Sequence, residues 1–272
     1  SRGDVINYHV GAGYQWTEPN HFYRKFNLIL AHTLGMDCGG NLTNNGIMNL
    51  GYIQFSNYYW IDYGSGYFWE TYDTRLTRGG PIAISPSGRW GYIQISTDER
   101  KPLVGRLYYE TSGNDTASVS HYLQIPLDWK VSDNLAFELS PSISINHNYA
   151  QYVDVFDDPY ADATYGKRYV FAKMDQKTIS ASLRLDWTFT PRLTLQLYAQ
   201  PLYGAAEYYD FKEFARPKTY QFFTYEEGTE INRNSDGNYT VDPDGNGPAG
   251  SFSFDNPDFN VYSFRSSAVL RW

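Results

Sequence analysis

The residues best suited to hold an ion lie in one stretch, 232–247, which reads NRNSDGNYTVDPDGNG. In it Asp242, Asp244 and Asn246 set carboxylate and amide oxygens at alternate positions, with glycines to bend the chain. Hard oxygen donors in that order can wrap calcium. The closing glutamate of a twelve-residue calcium loop is absent, and Asp, Asn, Gly and Pro also build ordinary turns. Calcium is the one cofactor for which the chain offers a candidate set.

A second acidic stretch, 148–166, places Asp154, Asp157, Asp158 and Asp162 beside Tyr152 and Tyr160. Such a mixture suits a sugar or a cation, and Asp154 with Asp158 could act as a carboxylate pair; a solvated outer loop has the same composition. The five histidines, His9, His21, His32, His121 and His147, fall in separate segments. Neither HExxH nor GxSxG occurs. Ser120 and His121 are neighbours and point to opposite faces of a strand, and Ser144 and His147 differ in parity. No catalytic set emerges, and an enzyme is not expected. Cys38 is the single cysteine, which excludes an intrachain disulfide and a cysteine-rich metal site.

The elements that position these residues are strands. In 178–189, Ile179, Ala181, Leu183, Leu185, Trp187 and Phe189 alternate with Thr178, Ser180, Ser182, Arg184, Asp186 and Thr188. The stretches 135–146 and 193–203 repeat the period of two that marks a strand with one apolar face. Applied throughout, this predicts about eleven strands, near 4–16, 21–33, 43–55, 58–70, 89–98, 102–111, 118–130, 135–147, 167–189, 193–209 and 259–272. Most run to about ten residues, the length a tilted strand needs to cross a bilayer. Tight turns at 17–20, 56–57, 98–101, 131–134 and 190–192 alternate with longer connections at 34–42, 71–88, 112–117, 148–166 and 210–258, as in outer-membrane barrels.

The expected fold is therefore all-β, an antiparallel up-and-down transmembrane β-barrel. Residues 1–272 form one barrel segment, with 210–258 as its long outer loop. On the polar side of the alternation fall Lys25, Arg106, Asp128, Glu138, Arg184 and Asp186, with Asn7, Gln15, Asn27 and Gln196. They are the candidates to line the lumen, and their mixed signs favour neither cations nor anions. Aromatic residues reach 18% of the chain and gather near strand ends, where a membrane interface would hold them. No run of 18 or more apolar residues exists to make a transmembrane helix. A net charge of −8 without a Lys/Arg cluster argues against nucleic acid.

Several motifs carry a more specific likeness: TYDTRLTRGGP at 71–81, STDERKP at 96–102, YGKRYVFA at 165–172, LDWTFTP at 185–191, LQLYAQP at 195–201, and PDFN at 257–260 followed by AVLRW at 268–272. Together these resemble the C-terminal region of a family of large bacterial proteins of unknown function. In that family a domain similar to carbohydrate-binding module family nine precedes a barrel-like region. The resemblance implies a longer parent, cut at the N-terminus and also past Trp272. An odd strand count points the same way, since bacterial single-chain barrels have even numbers. The expected setting is the outer membrane of a Gram-negative bacterium, with its lipid and lipopolysaccharide as partners. A glycan and other outer-membrane proteins are further candidate partners. The leading expectation is a pore or surface anchor linked to glycan handling. The alternative is a non-conducting barrel whose outer loops bind a ligand or a partner protein.

Overall fold

A computed structural model describes residues 5–245 and 247–272. In chain order its strands are β1 (Val5–Trp16), β2 (Tyr23–Asp37), β3 (Leu42–Phe55), β4 (Trp60–Phe68), β5 (Thr71–Asp73), β6 (Ala83–Ser85), β7 (Gly88–Ser96), β8 (Leu103–Asn114) and β9 (Val119–Gln124). There follow β10 (Leu127–Ser132), β11 (Leu135–Asp157), β12 (Lys167–Thr190), β13 (Leu193–Phe214), β14 (Phe222–Thr224), β15 (Ile231–Arg233), β16 (Tyr239–Val241), β17 (Phe252–Phe254) and β18 (Phe259–Arg271). One 3-10 turn, Asp162–Thr164, is the helical structure among the described residues.

The protein is all-β and antiparallel. One large sheet runs β1-β2-β3-β4-β7-β8, then β9 and β10, then β11-β12-β13, with β18 completing the row beside β13. β9 and β10 are two halves of one strand, interrupted at Ile125 and Pro126 because proline has no N–H to give the ladder. Counted so, eleven long strands lie side by side, as the alternation predicts.

Register explains how the two faces differ. One row across the sheet is Gln15, Asn27, Tyr52, Asp62, Gln94, Tyr108, Gln124, Ser142, Ser180, Leu202 and Ser263. The adjacent row is Tyr14, Leu28, Gly51, Tyr63, Ile93, Tyr109, Leu123, Ile143, Ile179, Tyr203 and Tyr262. Successive strand residues point to opposite faces, so one face is polar and the other apolar across all eleven strands. The apolar face is not covered: Leu30, Ile47, Ile93, Leu107, Ile145, Ile179, Leu197 and Phe264 are exposed.

Three expected loops prove shorter because the strands continue. The connection 34–42 contracts to a turn at 38–41 carrying the exposed Cys38, and 112–117 becomes a turn at 115–118. The acidic stretch 148–166 is mostly strand: β11 and β12 stay paired as far as Asp157 and Lys167, through bulges between Asn148 and Gln151 and between Tyr152 and Asp154. Tyr152, Val153, Val155 and Phe156 provide apolar surface there, which Asp154 among them and Asp157 and Asp158 after them obscure in the sequence. The strict alternation of short and long connections is thus not observed. The asymmetry rests on 69–87, 158–166 and 215–258, which share one end of the sheet.

At that end the connections fold into a cap. The β5–β6 hairpin joins the segment after β13 through Ile84 N–H to Thr219 O (2.9 Å) and Lys218 N–H to Ile82 O (2.6 Å). β15, β16 and β17 form a three-stranded sheet of their own. Val170, Ala172, Phe211, Tyr225, Ile231, Val241 and Phe254 make one core there. Ala83, Ala150, Tyr169, Phe171 and Phe214 make a second. Neighbours along β12 alternate between the two clusters, so the extended β11–β13 is covered on both faces. The expected long outer loop 210–258 is therefore largely packed structure.

Candidate functional site

On the polar face the charged candidates assemble into one compensated group. Asp128 and Glu138 stand directly opposite each other, an unfavourable placement for like charges. Arg106 bonds Asp128 from one side and approaches Glu99 at 3.4 Å, while Arg184 reaches Glu138 at 4.0 Å from the other. Arg184 also lies 5.7 Å from the Tyr198 ring, and Gln196 Nε2 donates to Asp186 at 2.8 Å. Lys25 stands apart, exposed, paired with Gln54 in the register. Five of the six lumen candidates are thus brought near one end of the polar face, close to charge balance.

Nearer the cap, a pocket of about 610 Å³ opens between sheet and cap. The sheet contributes Phe68, Trp90, Asn114, Ser120, Asn146 and Gln176; the cap contributes Asp73, Leu76, Ile84 and Tyr220. Its polar floor is a hydrogen-bond chain: Ser120 Oγ donates to Asn146 at 2.6 Å, and Asn146 Nδ2 donates to Gln176 at 3.2 Å. The phenol of Tyr92 donates to Asp62 at 2.7 Å, and that of Tyr108 donates to Glu110.

The cap has its own ion network. Arg168 donates from Nε to Asp158 (2.5 Å) and from Nη1 to both Glu213 oxygens (2.7 Å), while the Tyr225 hydroxyl donates to Glu213 (2.9 Å). Burial opposes charge on Asp158. The hydrogen bonds from Arg168 and the Tyr160 N–H, with the Arg168 charge, outweigh it and hold the carboxyl below its ordinary range. Burial, then the Glu213 charge and hydrogen bond, push the Tyr225 phenol far up. On the other side of β13, Lys212 is almost wholly buried with Nζ 3.2 Å from the Tyr149 ring centre. Burial, and secondarily the Lys173 charge, lower its ammonium to about 8 against an opposing pull from Asp210.

A domain of unknown function, DUF5916, matches residues 1–242. The chain belongs to the DUF5916 family. No curated protein and no solved structure matches it.

The other sequence candidates in this DUF5916 chain separate. Asp158 is committed to Arg168, Asp157 to Lys167, and Asp154 is exposed and accepts from the Val155 N–H at 2.8 Å. Asp154 and Asp158 are therefore not joined as a pair. Ser144 pairs with Thr178 and Tyr122 in the register, while His147 turns to Asp175 at 2.6 Å. Of the calcium candidates, Asn246 lies outside the described residues. Asp244 accepts from the Ala249 N–H at 3.0 Å, and the Asp242 Oδ1 is buried without a hydrogen-bond partner among the described residues. No group of three His, Cys, Asp or Glu side chains is arranged to hold a metal among the described residues. Sequence reading missed Trp90, Tyr92, Tyr108 and Tyr122, whose parity with Gln94, Arg106 and Gln124 on their own strands was available as a signal. It also missed Arg168, Glu213 and Lys212, which only the paired strand extensions bring together.

Proposed function

We propose that this DUF5916 chain is part of the wall of a bacterial outer-membrane β-barrel, with lipid against its apolar face and water against its polar one. In this reading the barrel serves as a pore or surface anchor linked to glycan handling, downstream of a domain similar to carbohydrate-binding module family nine. Outer-membrane lipid and lipopolysaccharide are its surroundings, and no reaction is assigned to it.

The uncovered apolar face is what carries the proposal. Contiguous exposed patches above a few hundred Å² are rare on soluble monomers. Here such residues recur on every long strand, while the polar residues turn to the other side. Residues 135–145 rise roughly 33 Å along the strand at about 3.3 Å each. A tilt of about 40° reduces that to roughly 25 Å, the height of an outer-membrane barrel's apolar band. Tyr14 and Trp16, and Trp187 and Phe189, pack ring to ring on that face.

The packed cap favours a second reading, in which the barrel is closed at its outer end and the cap recognises a ligand or partner protein. Planar-bilayer recording on the full-length protein, purified in mild detergent and checked for heat-dependent gel mobility, separates the two. Steady current steps support an open interior, and selectivity shifted by Arg184→Gln or Glu138→Gln would locate the path. Silence from folded protein moves the function to the cap. Recovery of the protein in the soluble fraction would sink the membrane reading altogether.

A further inference from the structure

Four aromatic side chains make a continuous run on the polar face. Trp90 and Tyr92 stack at 5.9 Å with planes 9° apart, Tyr92 and Tyr108 at 5.8 Å and 26°, and Tyr108 meets Tyr122 at 6.0 Å and 63°. None of the four belongs to either hydrophobic cluster of the cap. All four are half-buried.

The neighbouring strand is stripped beside two of them. Gly64 pairs with Tyr92 and Gly66 with Trp90, and a Cβ at either glycine would collide with the facing ring. The rings of Trp90 and Tyr92 can therefore lie over β4 instead of standing away from the sheet. Laid flat, an aromatic ring presents its face, the geometry that receives the apolar C–H side of a pyranose. Around the run are acceptors suited to the hydroxyls of the same sugar. Asp62 and Glu110 each take one phenol hydrogen bond, retain further lone pairs, and form no ion pair among the described residues. The upper end at Trp90 opens into the pocket beneath the cap, where Asn146 and Gln176 add amides.

We infer that Trp90, Tyr92, Tyr108 and Tyr122 form a stacking track for a neutral oligosaccharide, entered through the pocket under the cap. The inference rests on reading the polar face as a barrel interior, and it names the ligand class and the residues that reading leaves open. A purely structural ladder would fill the same glycine gaps but would not respond to sugar.

The test titrates folded full-length protein in detergent with maltohexaose, cellohexaose and xylohexaose, by calorimetry and tryptophan fluorescence. At least one binds, and Trp90→Ala and Tyr108→Ala each weaken it about tenfold, the loss of one good ring contact. Trp90→Phe, which keeps a ring over Gly66, retains most of the affinity and guards against misfolding of the alanine variant. Tyr63→Ala, on the opposite face of β4, leaves it unchanged. Folded protein that binds none of the three sugars, or binding undiminished by both alanine changes, overturns the track. Gel mobility and membrane partitioning are read on the same preparation, so a failed track and a failed barrel give different results.

Discussion

Residues 167–177 and 178–189 belong to one strand, β12, yet they are built for different surroundings. In the second half, apolar and polar residues alternate, and the apolar side chains remain uncovered by the protein. In the first half, Val170, Phe171 and Ala172 are consecutive and wholly buried, because β15–β17 and the β5–β6 hairpin cover opposite faces of the extension. The same backbone ladder runs through both. Where the protein supplies its own cover, the sequence loses its period of two and reads as a continuous apolar run. Where cover must come from elsewhere, the period is kept.

The largest effects should come from breaking the self-covered half. Arg168→Leu leaves Asp158 and Glu213 buried without their cation, an expected loss of about 3–5 kcal/mol from the cap. Pulse proteolysis should cleave 158–166 or 215–258, while heat-dependent gel mobility of the whole protein persists. If both regions fail together, cap and sheet are one cooperative unit and the contrast drawn above is wrong. For the other half, Leu183→Arg on the apolar face should cost about 2–4 kcal/mol in a bilayer. Ser182→Arg, one residue away on the polar face, should cost little. Equal effects in a folding assay in lipid vesicles would remove the distinction between the faces.

A smaller and opposite effect is expected at Lys212. Its folded value of about 8 lies below the ordinary 10.5 of lysine. Below the folded value the ammonium is charged whether the cap is open or closed, and its burial penalty is complete. Between the two values the open cap holds a proton that the closed cap has lost, so closure strengthens as pH rises; above both, the dependence ends. The full swing is on the order of 3 kcal/mol. Lys212→Met, of similar length, should stabilise the cap at neutral pH and abolish the rise. Protease-accessible fraction measured from pH 8 to 10.5 follows both variants.

The sheet was legible in the sequence because one uncovered face leaves a strict alternation, visible in 178–189 or 135–146 without any knowledge of neighbours. Eleven strands follow from it, most with edges within a few residues, but β11 runs on to Asp157 and β13 to Phe214, well past the expected ends at 147 and 209. The cap was not legible. Asp154, Asp157, Asp158 and Asp162 look like solvated loop acids, and only the pairing of Asp157 with Lys167 reveals a strand extension. Parity alone puts the candidates Arg106, Asp128, Glu138 and Arg184 on the polar face. The aromatic run does not show in the clustering of aromatics near strand ends; parity is what places Trp90, Tyr92 and Tyr108 on the polar face.

One feature of the sheet sets an energetic condition on its surroundings. Among the described residues β1 is hydrogen-bonded on one side only, by β2, and β18 on one side only, by β13. Each therefore presents a row of N–H and C=O groups that hydrocarbon cannot satisfy, at a cost of several kcal/mol for every group left bare. Eleven alternating strands also make these two edges run in the same direction, so they cannot close on each other as an antiparallel pair. An odd number of additional strands between them, from this protein or another copy, satisfies both edges at once and keeps every neighbour antiparallel. Within a bilayer, the open sheet is a donor and acceptor template that selects for that partner.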